Sequence, residues 1–507
     1  MPHVVTQACC GDASCVYACP VNCIHPTPDE PDFGTAEMLY IDPSTCVDCG
    51  ACVSACPVGA IKPGHRLPDD QQRFLDINAG QYGDSVGDVR FPVDQKFRLP
   101  MAPMDHPTPL RVPGNTPVSV AIVGSGPSAM YAADELLRYP RVEVTMYERL
   151  SSPFGLARFG VAPDHTETRT VMRLFDTIAR DPRLNILVDT EIGRDITLDE
   201  LRSRHQAVIW AGGAPTDRPL TVPGVEAVGC ASATSFVGWY NGHPDYADLD
   251  FDLSHERVVL VGNGNVALDV ARILTADPEY LANTSISRHA LAKLRTSAVS
   301  EVLVVGRRGP DVAAFTLPEL VGLADGGSNV VVDPLELAAL SDLPVAQGHP
   351  GDHVAAEKVA LLREISARPV RPGKKIRLAF RRSPEEILVG ADGKVSGIRL
   401  GINEIDASGA AIATGSSVDV SAGLVLTSIG YRGVAVPGLP FDDGRGVIPN
   451  DRGRVLSGEA PIQGMYVTGW IKRGPSGFIG TNKTDSTETV AMLREDLEAG
   501  VLSSAMV

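Results

Sequence analysis

The chain has 507 residues, of which 44% are hydrophobic and 21% are charged. These proportions are typical of a globular protein, and the length allows about three domains, so a single small binding module, a coiled coil and a disordered chain are excluded. Lys and Arg number 45 and Asp and Glu number 62, which gives a net charge of −17. This negative charge disfavours nucleic acid and anionic lipid as partners.

Nine of the ten cysteines lie within the first 56 residues. The N-terminus carries neither a basic leader nor an apolar signal segment, and no long apolar run occurs, so we expect a cytoplasmic protein without membrane contact. In that reducing compartment, a dense group of thiols is expected to bind metal rather than to form disulfides.

Residues 46–57, CVDCGACVSACP, carry four cysteines at the spacing of bacterial ferredoxins. In such a run three thiolates hold one iron-sulfur cluster and the fourth crosses to a second cluster. A structural zinc site is the alternative, but zinc sites use paired CxxC or Cys/His ligands. The pattern therefore favours iron-sulfur clusters.

Residues 9–20, CCGDASCVYACP, repeat this run with Asp12 in place of the second cysteine. By the crossing rule, the predicted ligands of a four-iron cluster are Cys19, Cys46, Cys49 and Cys52. The predicted ligands of the other cluster are Cys9, Cys15 and Cys56. We favour a three-iron cluster at this second site, with a four-iron cluster completed by Asp12 as the alternative. Cys10 is an alternative to Cys9.

The apolar run 118–123 predicts a buried parallel strand, and the turn GSGPSA that follows it opens a helix. The turn residues predicted to meet a pyrophosphate at the helix start are Gly124, Gly126, Ser128 and Ala129. The next predicted strand, 142–147, ends in Glu148, where a carboxylate binds an unphosphorylated ribose. This unit predicts FAD or NAD.

A second turn, GNGNVA at residues 262–267, follows the predicted strand 258–261. Its predicted cofactor contacts are Asn263, Gly264, Asn265 and Val266. The next predicted strand, 302–305, is followed by Arg307 and Arg308 and lacks a carboxylate at its end. Two guanidiniums there suit a 2′-phosphate, so we predict NADP(H), with a solvated arginine pair as the alternative.

The first 64 residues resemble the seven-iron bacterial ferredoxins. The motifs at 262–272, 306–310, 315–319 and 469–482 occur in the order of the adrenodoxin-reductase family of NADPH-ferredoxin reductases, which residues 117–500 resemble. With both parts in one chain, the sequence is similar to the mycobacterial-type fused reductases.

The resemblance implies further site residues. Additional FAD contacts would be Leu156, Trp470, Gly477, Phe478 and Ile479, and Gly477 would also meet NADPH. Glu319 would contact NADPH, and His165 would lie beside the flavin as the candidate catalytic residue, with a structural histidine as the alternative. Family members often carry a second glutamate three residues after the first, and here that position is Gly322.

We therefore predict an α+β ferredoxin-like iron-sulfur domain followed by two α/β Rossmann-like dinucleotide-binding domains. The expected divisions are a ferredoxin domain (1–64), a linker (65–116), a first FAD-binding part (117–215), an NADP-binding domain (216–424) and a second FAD-binding part (425–507).

The predicted function is that of an NADPH-ferredoxin oxidoreductase. It passes a hydride from NADPH to FAD, and then single electrons to iron-sulfur clusters of its own or of a separate ferredoxin or other one-electron acceptor protein. One alternative is an iron-sulfur flavoprotein subunit that acts on a small substrate, and the other is a non-catalytic redox sensor.

Overall fold

A computed structural model describes residues 2–82, 110, 117–338, 350–406 and 409–502. The N-terminal unit comes first in the chain and contains both cysteine runs. Its strands and helices are β1 (His3–Val5), α1 (Ser14–Ala18), β2 (Ile24–His25), β3 (Tyr40–Ile41), α2 (Ala51–Ala55), β4 (Ile61–Pro63) and α3 (Arg73–Gly80).

The two cysteine runs fold in the same way. Each forms a short helix, α1 or α2, that begins after a residue with positive φ and ends one residue before the last cysteine of its run. The two helices pack against each other, and the paired strands β1–β4 and β2–β3 complete the unit. This repeat places corresponding cysteines of the two runs in related positions.

Helix α3 lies within the predicted linker but is part of the N-terminal unit. The Oδ1 atom of its Asn78 accepts hydrogen bonds from the N–H groups of Val5 in β1 (3.2 Å) and Ile41 in β3 (3.0 Å). The ordered unit therefore continues beyond residue 64. The linker residues 83–109 and 111–116 lie outside the described residues.

The next region begins with the predicted apolar strand. Its elements are β5 (Val118–Val123), α4 (Pro127–Leu137), β6 (Val142–Tyr147), α5 (Gly155–Phe159), α6 (Thr166–Arg169), α7 (Val171–Ile178), β7 (Leu184–Leu187), α8 (Leu198–Arg204) and β8 (Ala207–Trp210). Strands β5, β6, β7 and β8 pair in parallel, and β5 is buried on both faces, as expected for a central parallel strand.

A second parallel sheet follows. The elements of this region are β9 (Thr216–Asp217), β10 (Cys230–Ser232), α9 (Ala233–Tyr240), β11 (Arg257–Val261), α10 (Asn265–Thr275), α11 (Pro278–Leu281), α12 (Arg288–Arg295), β12 (Glu301–Val305), α13 (Leu317–Asp325), β13 (Val330–Val332), α14 (Pro334–Ala338), α15 (Pro350–Ala367), β14 (Lys375–Ala379), β15 (Arg382–Val389), β16 (Val395–Ile405), β17 (Ala411–Ser421) and β18 (Leu424–Thr427). The sheet order is β10-β18-β11-β12-β14-β13, and every pair is parallel.

Two features of this region differ from the sequence expectation. Strands β15, β16 and β17 form a separate antiparallel sheet, which no pattern in the sequence analysis predicted. Strand β18 pairs with β10 and β11, so the second sheet takes in residues up to 427, a little beyond the predicted division at residue 424.

The last part of the chain returns to the first sheet. Its elements are β19 (Tyr431–Arg432), β20 (Asn450–Asp451), β21 (Arg454–Ser457), β22 (Ala460–Val467), α16 (Trp470–Arg473) and α17 (Thr481–Glu498). Strand β22 pairs in parallel with β8 and extends the first sheet to the order β20-β21-β22-β8-β5-β6-β7. Residues far apart in the chain therefore build one sheet.

The N-terminal unit packs against both sheet regions. Its Phe74 and Ile77 belong to a buried apolar cluster that includes Leu317 and Leu320 of α13. On the other side, Ala8, Cys10, Val58 and Ala60 share a buried cluster with α4 and α17. Among the helices of the described residues, none combines the length and apolar character needed to cross a membrane.

Candidate functional site

Cysteines from both runs line one cavity in the N-terminal unit. The thiols around it belong to Cys19, Cys23, Cys46, Cys49 and Cys52. The four predicted ligands of the four-iron cluster are thus brought together, and an all-thiol donor set suits such a cluster. Cys49 is exposed, and the neighbouring Val47 is 58% exposed, so we name this set of predicted ligands the open cysteine group.

Cys23 supports the open cysteine group without being one of its predicted ligands. Its sulfur lies 3.4 Å from Sγ of Cys19, and its backbone N–H donates to the same atom at 3.4 Å. The hydrogen bond from the Cys23 thiol lowers the pKa of Cys19, which favours the thiolate form that binds iron.

Cys9, Cys15 and Cys56 form a second set, which we name the enclosed cysteine group. Burial raises the pKa of the Cys15 thiol, and the nearby Cys9, Asp12 and Cys56 raise it further. Cys9 and Cys56 pack against both apolar clusters that join the N-terminal unit to the rest of the chain. This group therefore borders the rest of the chain, whereas the open group has one exposed member, Cys49.

Asp12, the alternative fourth ligand of the enclosed group, is 6% exposed and already has polar partners. Its Oδ1 accepts the N–H of Ser14 at 3.3 Å, and its Oδ2 accepts the Ser14 hydroxyl. Nζ of Lys483, from α17, lies 3.8 Å from Oδ2. Both carboxylate oxygens are therefore engaged by a serine and a lysine.

The first glycine-rich turn connects β5 to α4, as the sequence predicts. Gly124 has φ = 98°, and a Cβ there would lie 2.7 Å from the carbonyl oxygen of Ala211, so only glycine fits. Gly126 caps α4, and a Cβ there would meet no atom within 4 Å, which leaves space for a phosphate at the helix N-terminus. Ala129 is fully buried, and the Ser128 hydroxyl donates to Oδ1 of Asn482 at 2.8 Å.

Glu148 lies at the end of β6 and is 7% exposed. Its Oε2 accepts the N–H and hydroxyl of Ser125 at 3.0 and 2.5 Å, and its Oε1 accepts the N–H of Leu150 at 2.8 Å. A carboxylate can accept about four hydrogen bonds, so Glu148 retains capacity for a ribose hydroxyl. The residues of this turn therefore fit the predicted FAD.

The second turn, between β11 and α10, has the same construction. Gly262 has φ = 112°, and a Cβ there would lie 2.0 Å from the carbonyl oxygen of Ser428. Gly264 caps α10 and borders open space. The side chain of Asn265 bridges to Thr316: its Oδ1 accepts the Thr316 N–H at 2.8 Å, and its amide donates to the hydroxyl at 3.2 Å.

The remaining residues predicted to meet NADP(H) lie around this turn. Oδ1 of Asn263 accepts the N–H of Ala314 at 3.5 Å, and Val266 packs against the core. Arg307 and Arg308 follow β12 and are exposed. Neither guanidinium makes an ion pair with any residue that the structure describes, so both are available for a phosphate.

His165 and Glu319 meet at a charged cluster that the sequence analysis did not fully anticipate. Nε2 of His165 lies 3.5 Å from Oδ1 of Asp269 and 3.8 Å from Oε2 of Glu319. Arg272 pairs with Asp269 at 2.7 Å. Burial raises the pKa of Glu319, although His165 opposes this rise.

Asp269 and Arg272 were missed as site residues. They lie three positions apart in the motif 262–272, on one face of α10, which is the spacing of a helical ion pair. Arg272 also binds Asp164 through two hydrogen bonds, at 2.7 and 3.0 Å, so it ties α10 to the segment that carries His165. The i,i+3 spacing could have identified the pair, but nothing local points to Asp164.

Two segments predicted to meet the flavin border the first turn. A Cβ at Gly155, next to Leu156, would lie 3.0 Å from Cα of Gly126, and the Leu156 side chain is 40% exposed. Asn482, which follows the predicted contacts Gly477, Phe478 and Ile479, binds Ser128 as described above. The Trp470 ring lies 5.1 Å from that of Tyr431, and its Nε1 donates to the carbonyl of Ser476 at 3.1 Å.

The predicted flavin segment 477–480 touches the first cysteine run directly. The N–H of Gly480 donates to the carbonyl of Cys10 at 2.8 Å. A Cβ at Gly480 would lie 2.3 Å from the backbone nitrogen of Asp12, so the two backbones meet without room for a side chain. The enclosed cysteine group is therefore carried by a segment in contact with the predicted flavin site.

Comparisons with known proteins agree with this construction. Residues 39–62 match the family model of the 4Fe-4S binding domain, and residues 118–287 match that of the pyridine nucleotide-disulphide oxidoreductases. The chain is 51% identical to a probable ferredoxin/ferredoxin–NADP reductase of Mycobacterium tuberculosis, over 99% of this chain and 85% of that protein. It is 42% identical to the human mitochondrial NADPH:adrenodoxin oxidoreductase, over 76% of this chain and 80% of that protein.

A solved structure shares the reductase part of the fold. The NADPH-ferredoxin reductase FprA of Mycobacterium tuberculosis, solved in complex with NADPH, superposes with a TM-score of 0.71 at 44% identity and covers 76% of this chain and 87% of its own.

Fold and site together define a pyridine-nucleotide oxidoreductase joined to an iron-sulfur domain. Within that class, the chain belongs to the family of ferredoxin–NADP reductases, in the form that carries a fused ferredoxin. The predicted activity, FAD-dependent electron transfer between NADPH and ferredoxin, is thereby confirmed.

Proposed function

We propose that this chain delivers electrons from NADPH to its own N-terminal clusters, and from there to a separate one-electron acceptor protein. The observation that carries the proposal is the hydrogen bond between Gly480 and Cys10, which joins the predicted flavin segment to the segment that holds the enclosed cysteine group. The open cysteine group has an exposed member, Cys49. Electrons would then pass first through the cluster of the enclosed group and leave the chain through the cluster of the open group.

The residues of the reductase part would hold the two nucleotides. The turn 124–129 and Glu148 would bind FAD, and Arg307 and Arg308 would bind the 2′-phosphate of NADPH. When bound, FAD accepts a hydride from NADPH and releases electrons singly, as iron-sulfur clusters require. His165 would lie beside the flavin, where its Nε2 faces Asp269 at 3.5 Å and Glu319 at 3.8 Å.

We propose a three-iron cluster at the enclosed group and a four-iron cluster at the open group. The three predicted thiolates support this assignment of the enclosed group, and Asp12, which Ser14 and Lys483 hold in place, remains the alternative fourth ligand. Cys9 is preferred to Cys10 as the first of these ligands, because Cys9 stands six residues before Cys15, as Cys46 stands six residues before Cys52 in the second run.

We also propose that the chain is divided as the sequence predicts, with an FAD-binding domain interrupted by an NADP-binding domain. The return of β22 to the sheet of β5 supports this order. The cytosol is the proposed location, because clustered thiols that bind metal require a reducing compartment.

Three measurements on the purified chain test the function. We expect NADPH to reduce cytochrome c without any added small substrate, and we expect low-temperature EPR of the oxidised protein to show a three-iron centre. A requirement for a small organic substrate would contradict the proposed activity. Failure of NADPH to bleach the flavin under anaerobic conditions would favour a redox sensor.

A further inference from the structure

Helix α13, which carries Glu319, is held at both ends by the N-terminal unit. At its start, the N–H of Leu317 donates to Oε2 of Glu37 at 2.6 Å, and the helix has no side-chain cap of its own. At its end, Asp325 pairs with Nε of Arg73 at 2.8 Å. A carboxylate at the N-terminus and a cation near the C-terminus both complement the helix dipole. The N-terminal unit therefore contacts α13 at both of its ends.

Between these two contacts, Gln7 reaches the middle of the helix. Its Nε2 donates to Oε2 of Glu319 at 2.9 Å, although the two residues are 312 positions apart. A Cβ at Gly322 would lie only 2.1 to 2.3 Å from the amide atoms of Gln7. The Gln7 amide thus occupies the space that a side chain at position 322 would fill.

The hydrogen bond ends on the Glu319 oxygen that faces His165. Oε2 of Glu319 accepts from Gln7 and is also the atom 3.8 Å from Nε2 of His165. The charged groups around this carboxylate are His165, Asp269 and Arg272. A buried carboxylate is costly without hydrogen-bond donors, and Gln7 is a neutral donor that adds no competing charge.

We propose that Gln7 is a positioning residue of the reductase site: its amide, admitted by the missing side chain at Gly322, holds Glu319 towards His165 while the N-terminal unit is docked. The N-terminal unit then completes the site at which NADPH reacts as well as receiving the electrons. This inference rests on the proposed contact of Glu319 with NADPH.

The test compares Gln7→Ala with Arg73→Ala in the full-length holoprotein. Arg73 contacts the same helix but not Glu319, so it is the matched control. NADPH oxidation is measured with ferricyanide as acceptor, which does not depend on the cysteine groups. We expect Gln7→Ala to lower kcat by about five- to tenfold, the scale of one typical net hydrogen bond, with little change in KM. Arg73→Ala should leave kcat unchanged.

A readout that does not depend on turnover is hydrogen–deuterium exchange of α13. We expect faster exchange around residues 319–322 in Gln7→Ala, and faster exchange only near Asp325 in Arg73→Ala. Equal kcat in the two variants, with equal protection at residues 319–322, would overturn the proposal.

Two further variants separate positioning from simple packing. Gln7→Glu keeps the shape but faces Glu319 with a like charge, so its deficit in kcat should be larger at pH 8 than at pH 6, where the two carboxyl groups can share a proton. A deficit independent of pH would contradict the proposed contact.

The second variant, Gln7→Ala with Gly322→Gln, supplies the amide from α13 itself. We expect it to recover most of the kcat lost in Gln7→Ala, and a rate no higher than that of Gln7→Ala would contradict the proposal. If the proposed electron route were wrong instead, cytochrome c reduction would not depend on the cysteine groups, but these ferricyanide results would still stand.

Discussion

The two cysteine runs have nearly the same sequence, but the two cysteine groups that they form differ in what surrounds them. Cys9 and Cys56 pack against both apolar clusters that join the N-terminal unit to the reductase part, and Cys15 is buried, whereas the open group includes the exposed Cys49. The apolar side chains near the open group, Val47 and Val53, are 58% and 36% exposed. A repeated local fold can therefore serve two tasks, because docking covers one cysteine group and leaves a member of the other at the surface.

The two runs meet the reductase part differently. The second run does so at its end, where the carbonyl of Pro57 accepts the Thr170 hydroxyl at 3.0 Å, and the first run does so along residues 10–14. The backbone of residues 10–12 meets Gly480, and Lys483 reaches Ser14 at 2.8 Å. On the corresponding stretch of the second run, Asp48 pairs with His3 within the N-terminal unit at 2.8 Å. The first run therefore connects to the reductase part.

The largest effect, on the rate of cytochrome c reduction, should come from removing a predicted ligand of the open group. In Cys49→Ala, we expect cytochrome c reduction by NADPH to fall by more than the roughly 10- to 100-fold typical for loss of an outer-shell partner of a metal site, because a ligand itself is removed. Ferricyanide reduction should persist. Cys230→Ala, outside both groups, is the control, and unaltered cytochrome c reduction in Cys49→Ala would show that electrons leave elsewhere.

The next effect is expected on the binding of NADPH, which supplies the electrons. Changing both Arg307 and Arg308 to Ala removes two charge-assisted partners of a 2′-phosphate, so KM for NADPH should rise roughly 10- to 100-fold while KM for NADH is unchanged. Arg288→Ala, on the exposed face of α12, is the matched control. An unchanged preference between the two nucleotides would contradict the proposed role of the arginine pair.

A smaller effect is expected from loosening the contact that encloses the first group. Gly480→Ala places a methyl group 2.3 Å from the Asp12 nitrogen, and such overpacking costs about 1–3 kcal/mol, or roughly 5- to 150-fold in the docking equilibrium. Cytochrome c reduction should slow, whereas Gly34→Ala, where a Cβ meets nothing within 4 Å, should behave as the parent chain. Similar rates in the two variants would argue against docking.

The smallest expected effect is a pH-dependent change in the stability of the folded chain. Burial raises the pKa of Glu319 in the folded chain, so its ionisation costs stability, and stability falls as pH rises from the unfolded pKa of about 4.3 through the folded one. Glu319→Gln removes this cost, and its melting temperature should exceed that of the parent more at pH 8 than at pH 5. A difference in melting temperature that shrinks with rising pH would contradict the raised pKa of Glu319.

The sequence predicted the local parts of the molecule well. The strands at 118–123, 142–147 and 258–261, both glycine-rich turns and the grouping of cysteines all follow from short patterns that a few neighbouring residues define. The contacts of Gln7 with Glu319 and of Glu37 with Leu317 could not be predicted, because they join positions about 300 residues apart and leave no periodic signal. The antiparallel sheet of β15–β17 was also missed: its outer strand β17 is mostly exposed and carries no sustained apolar alternation.

The central claim is that the enclosed cysteine group lies between the flavin segment and the open group. The most direct measurement follows the four-iron cluster by EPR in Cys15→Ala after NADPH is added anaerobically, with dithionite used to verify that this cluster is intact. We predict that dithionite reduces the cluster and that NADPH reduces it far more slowly than in the parent chain. Reduction by NADPH at the parent rate would contradict the account.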